Sequence, residues 1–257
     1  MAFLSLLSSD PARLFLVVYC GTIALQMLVH FRDQLNFFRT EPYQIYGGPP
    51  RLLGIFPLPH VRESLFLWAG ILFIISLAAV TFNFAMQPAL ALAVVSFVIY
   101  FPPILPLAYI QRKVNLIPIV LAAALLAPSD LLPLTRLAVA LVYLSAGVEK
   151  LRTAGFRWAD GESLRAYLVE NYLFHSRPQT VFLIERRGLC TLLSTVVLFW
   201  ELSFWLAILS PSVALIYAMF GLLFHSGTSL TMRIHYWIYF GPAYFAFFVP
   251  FLTRHAS

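Results

Sequence analysis

Lysine is rare in this chain. Of its 17 basic residues only Lys113 and Lys150 are lysines, and the rest are arginines. Lys150 closes an apolar run, VYLSAGVEKL, and stands next to Glu149. An ionisable side chain at membrane depth is costly, so each one is a candidate site. Lys150 with Glu149, Glu201 and His225 qualify first; Arg136, His235 and His30 follow. Arg136, Tyr143, Gly147 and Lys150 recur at steps of seven, four and three, which puts them along one face of a helix. Ala146 and Gly147 are small, so another helix or a ligand can approach that face. Two readings of Lys150 stay open. A lysine held in a partly dry pocket can serve as a base. A lysine at the membrane boundary can also snorkel to the headgroups and pair with a carboxylate.

Glu201 lies in FWELSFW, amid aromatic residues, where a carboxylate must be protonated, paired or facing water. His225 lies in LLFHSGTSLTM, with Thr228 and Ser229 three and four residues on, as helical neighbours. It is either a strut between helices or part of a pocket wall. No histidine pair has metal-ligand spacing, so no metal is expected. Neither a phosphate-cradling glycine loop nor a nucleophile elbow is present. Cys20 and Cys190 both fall in apolar segments, which argues against a disulfide staple.

The composition says what must hold these residues. The 257-residue chain is 61% hydrophobic and 11% charged, against about 25% charged in a soluble domain. Bilayer-spanning helices need roughly 20 mostly apolar residues, and such runs recur from end to end. The expected fold is an all-α polytopic membrane bundle forming one domain over residues 1–257. Eight spans are expected, at about 14–31, two within the uncharged stretch 64–111, then 114–127, 131–151, 188–209, 212–232 and 235–252. Asn83, Gln87 and Pro88 would supply the turn inside the uncharged stretch. Pro102, Pro103 and Pro106 would break or kink the third span. The first run is read as a retained span, since it lacks the basic region and cleavage site of a secretory signal. Residues 32–63 and 152–187 read as polar segments. Within the second, ESLRAYLVENYLF has helical spacing and fits either an interfacial helix or a solvated one.

With eight spans, one face holds thirteen of the basic residues in segments 32–63, 111–113, 152–187 and 232–234. The other face holds Arg13, Arg136 and Arg254, and Lys150 makes up the 17. The positive-inside rule makes the richer face cytoplasmic and leaves both termini outside. The expected location is a bacterial cytoplasmic membrane. The net charge of +6 then serves lipid headgroups; no basic run interleaved with aromatics suggests a nucleic-acid partner.

Tyr143, Ala146-Gly147, Lys150-Leu151, Trp158, Gly161 and Leu164 together resemble the core signature of the vitamin K-dependent gamma-carboxylase superfamily, the horizontally transferred transmembrane (HTTM) domain. Glu201 is similar to a residue of that family's later helix, and Phe224-His225, Leu230 and Ile234 resemble its following segment. The Ala-Gly-x-x-Lys-Leu element is also similar to that of DoxX-like membrane proteins, which are usually shorter. The carboxylase resemblance implies that Lys150 is a base acting on a vitamin K-like quinol. It implies that Glu149 and Tyr143 tune that base and that His225 lines or braces its pocket. Trp158, Gly147 and Glu201 would border the quinol. Two departures stand beside it. The carboxylase has a large extramembrane region after its spans, whereas only five residues follow the last span expected here. Its lysine faces the lumen, whereas the arginine count puts Lys150 at the cytoplasmic end. An accessory role therefore stands beside the enzyme: a subunit of a larger membrane assembly that binds lipid, quinone or pigment.

Overall fold

The computed structural model describes residues 10–39, 51–52, 56–57, 61–102, 116–232, 237 and 240–254. They are helical apart from turns and a two-residue antiparallel ladder, Arg51–Leu52 with Phe56–Pro57. The chain divides into two compact units, 1–135 with 238–257, and 136–237. Among the described residues, five helices are long and apolar enough to cross a membrane, and three more apolar helices are shorter.

In the first unit, α1 (Pro11–Arg39), α2 (Glu63–Thr81), α3 (Met86–Tyr100) and α4 (Leu116–Leu126) pack in sequence, and α10 (Gly241–Arg254) returns against α1. Phe15, Tyr19, Ile23 and Met27 of α1 are buried at four-residue spacing, a single helix face. α1 does not stop where the apolar run does. It continues through Arg32 to Arg39, and its 29 residues reach about 44 Å, more than a hydrocarbon core of about 30 Å. Its end is fastened to the start of α2 by Arg39 and Glu63 at 2.6 Å. Tyr100 donates a 2.6 Å hydrogen bond to Gln34, so the buried amide of α1 is satisfied from α3.

The turn between α2 and α3 differs from expectation. Asn83 and Ala85 carry it in left-handed conformation. Gln87 and Pro88 lie in the first turn of α3, where proline is tolerated because the first N–H groups have no helical partner. α3 ends at Tyr100, just before Pro102. Pro103, Pro106, Lys113 and His235 lie outside the described residues.

The second unit holds most of α5 (Leu131–Ala154), then a 3₁₀ turn (Gly155–Asp160), α6 (Glu162–His175), α7 (Pro178–Ile184), α8 (Arg187–Ser203), a second 3₁₀ turn (Phe204–Ile208) and α9 (Pro211–Met232). The segment read as polar, 152–187, is thus helical almost throughout. α6 matches the helix expected there, and α7, opened by Pro178, was not legible as a separate element.

Exposure along these helices runs opposite to that of a protein built for water. Leu192, Val196 and Phe199 of α8 are exposed, as are Ile216, Met219 and Leu223 of α9 and Leu134, Leu137 and Leu141 of α5. Each set repeats at three or four residues, an apolar stripe along one helix. Water does not tolerate such continuous stripes, whereas lipid does. The polar residues Ser194, Glu201 and His225 are buried instead. The chain is an integral membrane protein.

Candidate functional site

Lys150 lies in the last two turns of α5. Its ammonium donates to both carboxylate oxygens of Glu201, 51 residues further on in α8. The Glu201 side chain is 6% exposed and that of Lys150 is 21%, so the lysine reaches inward to a buried carboxylate. Truncating either member of such a pair, with no hydrogen-bonding group left in its place, typically costs about 3–5 kcal/mol, because the other charge is left uncompensated. Glu149, the neighbour in sequence, is half-buried and points about 100° around the helix from Lys150.

One feature of the sequence lets α5 and α8 come this close. Gly147, one turn before Lys150, is buried. A Cβ there would stand 3.0 Å from the Leu202 side chain and 3.1 Å from its backbone nitrogen. Glu201 precedes Leu202, so the glycine gap and the ion pair share one helix crossing.

Trp158 comes from the 3₁₀ turn after α5. Its ring centre lies 5.3 Å from Lys150 Nζ, a cation–π contact worth about 0.5–2 kcal/mol. The turn is held against α8 by side chains. Thr191 Oγ1 donates to the carbonyl of Asp160 at 2.7 Å, and Thr195 Oγ1 to that of Ala159 at 3.1 Å. Gly161 follows with a φ of +85°, and a Cβ there would meet the backbone nitrogen of Thr191 at 2.5 Å. Only glycine combines that conformation with that approach. The helix carrying Glu201 therefore also holds the turn carrying Trp158.

Two turns before Lys150, Tyr143 is buried on the same face of α5, and its hydroxyl lies 2.5 Å from His225 Nε2 of α9. The rings of Trp200 and Phe204 lie 4.5 and 4.3 Å from that of Tyr143. Phe224 and Trp237 flank His225 at 5.1 and 5.8 Å. Trp200 is buried, and its indole Nε1 has no hydrogen-bond partner among the described residues.

No protein-family model, curated protein or solved structure matches the chain.

The structure thus brings Tyr143, Gly147, Lys150, Trp158, Glu201 and His225 together within the second unit. Arg136 lies on α5 two turns before Tyr143, and His30 belongs to the first unit. Reading the sequence missed Trp200, Phe204, Leu202, Thr191 and Thr195. Trp200 was visible beside Glu201, but so was Trp205, which faces outward at 45% exposure. Trp200 lies in α8, whereas Trp205 lies in the 3₁₀ turn that follows it. The threonines gave no signal, because a hydroxyl that captures a carbonyl of a distant turn looks like any other threonine of a membrane helix.

Chemically, the arrangement is a buried ammonium–carboxylate pair and a phenol–imidazole pair, linked by one face of α5 and enclosed by aromatic rings. It can hold a proton at Nζ and pass one between Nζ and a Glu201 oxygen.

Proposed function

We propose that the chain is an eight-crossing membrane protein of the HTTM, gamma-carboxylase-like type, acting as a quinol-dependent enzyme with Lys150 as its base. The observation that carries this reading is the ion pair of Lys150 with the buried Glu201, beside Trp158 and on the helix face of the Tyr143–His225 pair. The count of eight adds Met86–Tyr100, Leu116–Leu126 and Gly241–Leu252 to the five long helices.

The Lys150 ammonium directs a proton at Glu201. Transfer of that proton from Nζ to a Glu201 oxygen gives a neutral amine and a neutral carboxylic acid. The amine then accepts a proton from an acidic hydroxyl of the bound molecule. The unpartnered Trp200 Nε1 offers a donor for a ligand oxygen. A quinol, when bound, supplies the acidic hydroxyl and the reducing electrons.

The accessory-subunit reading also has an observation in its favour. A lysine clasped by both oxygens of one carboxylate is how a membrane bundle neutralises a buried charge for purely structural ends. In that reading the pair fastens α5 to α8, and the exposed faces of α8 and α9 meet other subunits. Purification from native membrane separates the two. A lone chain carrying a quinone, with turnover lost in Lys150→Arg, supports the enzyme. A stoichiometric set of partner chains without quinol turnover overturns it in favour of the subunit.

A further inference from the structure

We infer that α6 is a membrane-surface anchor, whose outer face lies in the headgroup layer of the bilayer with neighbouring arginines at the lipid phosphates. Its place in the fold comes first. The segment from Gly155 to Arg186 leaves the C-terminal end of α5 and enters the N-terminal end of α8. It is also tied to the C-terminal end of α9, since Arg177 donates to the carbonyl of Leu230 at 2.9 Å and Thr180 to that of Thr231 at 2.5 Å. Three membrane-crossing helices therefore end where α6 lies, which puts it at one surface of the bilayer.

The face itself is apolar where a solvated helix would be polar. Leu168 is the buried residue of α6. On the other side Val169, Leu173 and Phe174 are 42%, 76% and 77% exposed. They cluster within about 140° of the helix surface. Phe156, in the turn before α6, is 78% exposed, and Phe182 of α7 is 49% exposed with the Arg186 guanidinium 3.6 Å over its ring. Aromatic side chains and arginines are the residues that settle at headgroup level.

Charge selects lipid over a protein partner as the occupant. Residues 152–187 hold six arginines against Asp160, Glu162, Glu170 and Glu185. Glu162 is already engaged by Arg165 at 3.2 Å and Arg187 at 2.9 Å. Arg152, Arg157 and Arg186 are exposed. Glu170 shares the apolar face, which limits the depth: the helix rests among headgroups, with only Leu173, Phe174 and Val169 reaching toward the acyl chains.

The test places an environment-sensitive fluorophore on Leu173→Cys in the full chain, with Cys20 and Cys190 buried and unlabelled. The chain is reconstituted in phosphatidylcholine nanodiscs with and without phosphatidylglycerol. A probe on Leu192→Cys, on the lipid-exposed stripe of α8, reports correct insertion. Spin-labelled lipid is expected to quench the Leu173→Cys probe about twofold more than aqueous iodide does, and more strongly with phosphatidylglycerol. Glu170→Gln should increase lipid quenching, and Arg157→Gln with Arg186→Gln should remove the phosphatidylglycerol effect. Free quenching by iodide would show a solvated helix and overturn the proposal. Protection from both quenchers would place a protein there, a second copy or another subunit, and overturn it equally. Lipid quenching indifferent to charge and to the arginine substitutions would overturn the phosphate role.

Discussion

Gly147 and Leu202 face each other so closely that a single methyl group on the glycine would stand 3.1 Å from the leucine's backbone nitrogen. A side chain can rotate away from such a clash, but a helix backbone cannot. Gly147→Ala is therefore expected to force α5 and α8 apart and to cost about 1–3 kcal/mol. Gly147→Val should cost more. The measurement is thermal unfolding in detergent, and an alanine variant as stable as the parent would show that the crossing is looser than described.

The partner of Lys150 is Glu201, and the substitutions at that position should rank by charge. Glu201→Gln keeps an acceptor for the ammonium and should cost about 1–3 kcal/mol. Glu201→Lys sets two ammonium groups against each other in a buried place and should cost about 3–5 kcal/mol or prevent folding. The charge-swapped double variant, Lys150→Glu with Glu201→Lys, should recover part of that loss. Equal stability of the Gln and Lys variants would refute the buried pair.

A double-mutant cycle addresses the other polar contact. Tyr143→Phe and His225→Leu each break the hydrogen bond between α5 and α9. Together they should cost less than their sum, with a coupling energy of about 0.5–1.5 kcal/mol. Strict additivity in detergent unfolding would mean that the two side chains do not interact.

Lys150→Arg separates base from anchor. Arginine can hold Glu201 through two parallel hydrogen bonds, but it does not give up its proton. Expression and thermal stability should stay near those of the parent, while quinol-linked turnover falls at least about a hundredfold. Persistent turnover in Lys150→Arg would remove Lys150 from the role of base.

Orientation follows from arginine counts. Gln179 and Arg157 are exposed on the segment between α5 and α8, and that segment is expected to be cytoplasmic. Gln179→Cys and Arg157→Cys should resist a membrane-impermeant thiol reagent added outside intact cells and react after permeabilisation. Labelling from outside would reverse the topology.

The sequence alone settled what the protein is made of and where its costly residues lie. Low charge, long apolar runs and the absence of charge between Ser64 and Gln111 require a helical membrane protein, because lipid accepts only backbone that satisfies its own hydrogen bonds. The spacing of Tyr143, Gly147 and Lys150 placed them on one helix face, since helix periodicity is a local property. The spacing also marked out α6. Which carboxylate meets Lys150 was beyond it. Glu149 is adjacent in sequence yet points elsewhere around the helix, and Glu201, 51 residues away, arrives only through the crossing of α5 and α8. The same holds for Tyr143 and His225, 82 residues apart, and for the threonines that hold the Trp158 turn. Helix phase within a segment is written in the local pattern of residues. The contacts between segments depend on how closely two backbones approach, and for Lys150 and Glu201 the small residue at that approach is Gly147.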